Sequence, residues 1–207
     1  KDENILQSDN ILSLLKDKDY QSRVTGALLM MQRAFYSTSS NASKRIKSIG
    51  TESEEEIFFI INQMLKSEDV LSVHSAAWCI GWAGFGEADI IPQETISDIA
   101  ERLMELWISD MSAFPNLKRM ISWGLASVCM PGLKLRKQHG LTEAIEHNFN
   151  IPQNNMDRYA AVHVAILANE WSIKETKSRL QQSEAAHEYF IGKSRFLKRM
   201  KVIPIEN

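Results

Sequence analysis

Apolar residues recur at helical spacing along almost the whole chain, and the strict alternation of a half-buried strand is nearly absent. The pattern predicts helices over about 10–16, 20–36, 52–66, 70–83, 94–109, 116–129, 142–149, 155–170, 173–182 and 184–201. Several starts are marked by polar residues able to accept from free backbone N–H groups. Thr51 with Glu54, and Ser172 with Glu175, have capping-box spacing, while Asp19 and Asp69 each stand where they can cap the next helix.

Four of these segments superpose. "RVTGALLMM" from Arg23, "VHSAAWCIG" from Val73, "RMISWGLAS" from Arg119 and "RYAAVHVAI" from Arg158 all place a small residue in the fourth column: Gly26, Ala76, Ser122 and Ala161. Apolar residues follow it, and three of the four open with Arg. Their starts are 50, 46 and 39 residues apart, near the period of about 40–47 residues of paired-helix repeats. The long first interval holds "YSTSSNASKRIKSIG", a polar run with no apolar face to bury, which reads as a flexible inserted loop over 37–50. Its Ser and Thr beside Lys and Arg also admit a regulatory phosphorylation region.

"VHSAAWCIGWAG" resembles the second helix of a HEAT-type repeat, and "RVTGALLMM" resembles it more weakly. The resemblance implies an all-α fold in one domain, 1–207. This would be a right-handed α-solenoid, or superhelix, of about four HEAT-like helix pairs (5–36, 51–84, 94–130 and 141–170) closed by a C-terminal helical cap over 172–202. In such a stack Ala76 and Gly81 are close-packing positions, and Trp78 and Trp82 fill the gaps beside them. The Asp/Arg ladder of these stacks suggests that Asp19 pairs with Arg23, although an exposed partner-binding role for the column arginines is the other reading.

Composition narrows the class further. The two cysteines, Cys79 and Cys129, lie in apolar runs, so two buried free thiols and a reducing, cytoplasmic setting are expected. No run reaches the roughly 18 apolar residues of a membrane span. The chain opens on Lys1 rather than Met, which suggests a fragment of a larger multidomain protein. Net charge is −2, but residues 1–110 hold 18 acids and 10 bases whereas 111–207 hold 8 acids and 14 bases. That polarity can orient a partner.

Signals for catalysis are poor. Gly81, Gly84 and Gly86 in "GWAGFG" lack the preceding strand and the lysine of a phosphate loop. Glu143 and His147 share a helix face without a third ligand, and His187-Glu188 is a single copy of a pair that an iron-binding HEAT-like hydroxylase family needs several times. His74 and His163 fall within second-helix segments, as core or groove residues. No nucleophile–base set assembles, so neither a catalytic group, a metal nor a cofactor is assigned.

The reading is a non-catalytic protein-interaction module, a scaffold, dock or sensor whose second helices build a concave surface. The partner-binding candidates are Lys118, Arg119 and Arg158, with Lys193, Arg195, Lys198 and Arg199 on a basic terminal helix. Another protein or domain is the expected partner, and a second copy of the chain is a further candidate. The alternative is a nucleic-acid-binding module resembling the HEAT-like alkylpurine DNA glycosylases, using Lys118, Arg119, Lys134, Arg136, Lys137 and Arg158. A sequence pI of 6.3 argues against it.

Overall fold

The computed structural model describes residues 8–38, 51–85, 91, 93–109, 113–152, 154–182 and 195–203, and those residues are helices and turns without a strand. In chain order the helices are α1 (Ser8–Leu15), α2 (Tyr20–Thr38), α3 (Thr51–Leu65), α4 (Val70–Phe85) and α5 (Gln93–Ile108). They continue as α6 (Pro115–Val128), α7 (Leu141–Asn150), α8 (Asn155–Leu167), α9 (Ile173–Gln182) and α10 (Arg195–Arg199).

Consecutive helices pair as α1/α2, α3/α4, α5/α6 and α7/α8. The first members contact one another in the order α1, α3, α5, α7, and the second members in the order α2, α4, α6, α8. Burial follows from this. α4 touches its own partner α3 and both neighbours α2 and α6, so Val73, Ala76, Ala77, Cys79, Ile80 and Ala83 are all inaccessible. The four column residues Gly26, Ala76, Ser122 and Ala161 are buried as well. Close approach depends on small size: a Cβ on Gly26 would meet Leu15 Cγ at 2.9 Å, and one on Gly124 would meet the Ala77 carbonyl oxygen at 3.0 Å.

Local chemistry sets the helix starts. Asp19 accepts from Ser22 N–H at 2.9 Å and Asp69 from Ser72 N–H at 2.7 Å. Bonding to Ser72 is the main reason the Asp69 carboxyl is held below its ordinary pKa. Asn154 and Asp157 form a reciprocal capping box at α8. These three caps stand at one place in the register, each seven residues before the small-column residue of its own helix. α6 differs. Its first turn is set by Pro115, behind Phe114, which makes no side-chain cap. The cap is thereby one residue further from the column than in the other three.

Several boundaries depart from expectation. α8 ends at Leu167 rather than near 170, because Asn169 adopts φ 55° while Glu170 N–H reaches the Ala165 carbonyl at 2.8 Å. α10 ends at Arg199 rather than 201 in the same way, with Lys201 at φ 57° and Val202 N–H on the Leu197 carbonyl at 2.9 Å. Both are left-handed stops built without glycine. Ser172 caps α9 through Glu175 N–H at 3.1 Å, but the Glu175 carboxylate turns to Arg179 instead of closing the box. The expected loop at 37–50 gives way to helix at 37 and 38. Its remaining residues, the side chains of the Thr51–Glu54 box and of Trp82, Gly86 and the His187-Glu188 pair lie outside the described residues.

Candidate interaction surface

Counting from the cap of each second helix brings out a device that the column alignment hides. Four residues after Asp19 stands Arg23, four after Phe114 stands Lys118, and four after Asn154 stands Arg158. All three cations bind backbone carbonyls at or just beyond the end of the preceding first helix. Arg23 Nη1 donates to the Asp17 and Lys18 carbonyls at 3.1 and 2.7 Å. Lys118 Nζ donates to the Trp107 carbonyl and lies 5.4 Å from that residue's ring centroid. Arg158 Nε donates to the Phe149 carbonyl at 3.0 Å. A cation here satisfies unpaired carbonyls and opposes the negative end of the helix dipole.

The second pair has Val73 at this position, and the carbonyl at the end of α3 is met from the next helix pair instead, by Arg102 Nε on the Leu65 carbonyl at 3.1 Å. The Asp19–Arg23 ion pair expected from the sequence does not form. Asp19 is committed to capping Ser22, and Arg23 to the turn carbonyls.

The predicted site residues therefore separate. Lys118 and Arg158 are half-buried and bonded within their own pair. Arg119 follows the carbonyl-binding position by one residue, which rotates it to the exposed side of α6. On α10, Lys198 is half-buried and Arg199 exposed. The Arg195 side chain and Lys193 lie outside the described residues.

A second register carries the surface chemistry. Five residues after the cap come Val24, His74, Arg119 and Tyr159; nine after come Leu28, Trp78, Trp123 and His163. These positions are one helical turn apart, so they form one stripe along each second helix. His74 meets Trp78 edge-on at 5.9 Å and 78°, and Tyr159 meets His163 at 5.7 Å and 85°, an edge-on ring contact at the same two positions two helix pairs apart. Trp78, expected to fill an interior gap, is half-buried on this stripe. Leu28 and Leu71 are exposed.

In the last pair the stripe is covered. Phe196 of α10 lies on His163 with ring centroids 4.3 Å apart, and His163 Nδ1 reaches the Ala126 carbonyl of α6 at 3.1 Å. A carbonyl only accepts, so Nδ1 carries the proton. Burial drives the pKa of this imidazole down to about 4. Burial also lowers that of His74, which keeps partial exposure.

Charge divides between the two helix rows. Within their helical residues, α1, α3, α5 and α7 carry eleven acids (one, four, four and two) against Arg102 alone. The second row α2, α4, α6 and α8 carries Arg23, Arg33, Lys118, Arg119 and Arg158, with Asp157 as its only acid. Asp157 is buried and accepts from Ser122 Oγ at 2.5 Å. The basic candidates outside this row are partly engaged: Arg136 pairs with Glu101 at 3.0 Å and Lys137 with Glu170 at 2.7 Å.

Among the described residues no cluster of His, Cys, Asp or Glu is arranged to hold a metal ion, and no helix is long and apolar enough to cross a membrane. Comparison with protein-family models, curated proteins and solved structures finds no match.

Proposed function

We propose that the chain is a non-catalytic docking module: a right-handed α-solenoid of four HEAT-like helix pairs, closed by a C-terminal cap, whose second helices form a concave binding face. The observation that carries the reading is the two ordered series of helix contacts, first helix to first and second to second. Such stacking offers an extended surface rather than a pocket. The stripe on the second helices supplies what a protein interface uses, namely aromatic and aliphatic side chains with an adjacent arginine. The two free, buried thiols fit a cytoplasmic setting.

The bonding of the cations supports a protein partner over a nucleic acid. Of the six bases the latter reading would use, Lys118 and Arg158 hold helix-end carbonyls and Arg136 and Lys137 pair with carboxylates. Titration with duplex and single-stranded DNA at two salt concentrations tests that alternative, since phosphate contact weakens steeply with salt.

The docking reading is tested by selecting binders from a displayed library of protein fragments and competing them with two variants. Leu71→Glu alters the second-helix face, and Glu101→Lys the first-helix row. Binders lost to the first variant and kept by the second are expected. Binders lost only to Glu101→Lys overturn the concave-face assignment.

A further inference from the structure

α10 is held differently from the other helices. Each of α1 to α9 takes part in the backbone contacts that build the stack, whereas α10 makes none of comparable extent with a described helix. It is five residues long, far below the roughly 12 that an isolated helix needs in water. Its backbone closes on itself, with Met200 N–H on the Phe196 carbonyl and Val202 N–H on the Leu197 carbonyl, both at 2.9 Å. Yet Phe196, Leu197 and Val202 are all buried. Apolar side chains on one compact turn are therefore a main part of its hold on the molecule.

The seat under Phe196 is built by the stack and not by α10. His163 Nδ1 donates to the Ala126 carbonyl in the last turn of α6, an acceptor that a helix's own ladder leaves free. Tyr159, one turn earlier on α8, meets the same imidazole edge-on at 5.7 Å. Two contacts from α6 and α8 thus fix the ring before Phe196 is laid on it at 4.3 Å. A surface held in this way keeps its shape when its cover leaves, as preformed ligand sites do. It also belongs to the second-helix row, at the same position in the register as Trp78.

We propose that α10 is an internal ligand: residues 195–203 occupy a peptide-binding seat at the α6–α8 end of the second-helix face, and a protein partner gains that seat by displacing them. The partner segment has the chemistry of the occupant, a helical turn with adjacent aromatic and aliphatic residues and a further aliphatic residue five positions on. The inference rests on the docking reading above and adds its regulation. With α10 seated, the face ends at the third pair; with α10 displaced, it runs through the fourth. Because a tethered segment competes at an effective concentration on the order of mM, only a partner with more anchors than α10 or a second foothold on the face replaces it. The chain is in this way closed to weak, single-site binders.

The test supplies the occupant from outside. A labelled synthetic peptide of residues 195–203, "RFLKRMKVI", is titrated by fluorescence anisotropy into the full chain and into its double variant Phe196→Ala, Leu197→Ala. The double variant should keep the helical signal of the stack and bind the peptide at least tenfold more tightly than the parent does. Adding His163→Gln, which retains an amide donor for the Ala126 carbonyl but removes the ring, should weaken that binding at least tenfold. So should replacing Phe by Ala in the peptide. Equal binding to parent and double variant would put the peptide elsewhere and overturn the seat, and no binding to a folded double variant would overturn the separable ligand. A double variant that loses its helical signal overturns it as well, since α10 would then support the stack. Hydrogen exchange on the unmodified chain gives a reading independent of any variant. The amides of Met200 and Val202 should exchange at least tenfold faster than those of Val164 and Ala165 in α8, and exchange in step with α8 would make α10 part of one cooperative unit and overturn the proposal. Displayed fragments that are still lost to Leu71→Glu when the peptide fails keep the docking reading and overturn the internal ligand alone.

Discussion

Gly81 of α4 lies directly beneath the indole of Trp123 on α6, so close that a Cβ at residue 81 would stand 2.8 Å from Cδ2 and 2.9 Å from Cε3. The two helices form the most extensive contact among the described helices, and this crossing sets how near they come. Trp123 is half-buried, so its ring can tilt outward, whereas the backbone of α4 is held by neighbours on both sides.

Gly81→Ala should consequently destabilise the chain, but modestly. Overpacking costs about 1–3 kcal/mol, and the gain in helix propensity from Gly to Ala returns roughly 1 kcal/mol. A net loss of about 1 kcal/mol, or ~3 °C in Tm for a chain of this size, is expected. The double variant Gly81→Ala, Trp123→Leu should show strong coupling, with the alanine neutral or stabilising once the indole is gone. Additive effects in that cycle would place the clash elsewhere.

The two column arginines that the sequence leaves equivalent should part company experimentally. Arg158→Ala removes a charge-assisted bond to the Phe149 carbonyl and should cost about 1–2 kcal/mol. Arg119→Ala, at an exposed position, should fall within about 0.5 kcal/mol of the parent. Denaturant titrations of the two variants measure the difference, and equal costs would contradict the register that places Arg119 outward.

His163 makes stability depend on pH. Its folded pKa, about 4, lies below the ordinary value near 6.5, so folding favours the neutral ring. The stabilisation is complete above the unfolded pKa and declines as pH falls from about 6.5 towards 4, by roughly 3 kcal/mol in all. Unfolding midpoints at pH 7, 5.5 and 4.5 should fall more steeply for the parent than for His163→Gln. Parallel slopes would show that this imidazole is not protonated on unfolding. Because the ring is sandwiched between the Ala126 carbonyl and Phe196, the docking of α10 should loosen first.

The thiols should be silent. Burial raises the pKa of both Cys79 and Cys129 far above the usual range, and each sits in the core as a free side chain. Native protein should therefore react with a disulfide reagent only at the rate of global opening, while both thiols react at once in denaturant. Rapid native labelling of Cys129 would mean that the end of α6 frays independently.

Helix positions were legible because periodicity is a property of many residues at once. The starts at Asp19, Asp69 and Ser172 are visible because a side chain makes the cap. The stops at Asn169 and Lys201 are less so, since neither carries the glycine that usually marks a left-handed residue. The site was harder. Aligning the four segments on their small column puts Arg23, Arg119 and Arg158 together, but Phe114 and Pro115 add one residue between cap and column in α6. That single residue hands the carbonyls to Lys118 and turns Arg119 outward. Counting from Pro115 would have found it. The partial exposure of Trp78 had no such signal, because nothing in the sequence says which side of a nearly all-apolar helix is left uncovered.

Within the helices, the first row carries eleven acids and one base and the second five bases and one acid, an uneven division despite a formal net charge of only −2. A particle of this kind does not meet a charged surface at random. On an anion-exchange resin it should be retained by the acidic row well beyond what its total charge predicts, and it should turn its second helices towards a negatively charged matrix. Near any polyanionic surface in a cell, the same torque would present the aromatic stripe first, so orientation would precede contact.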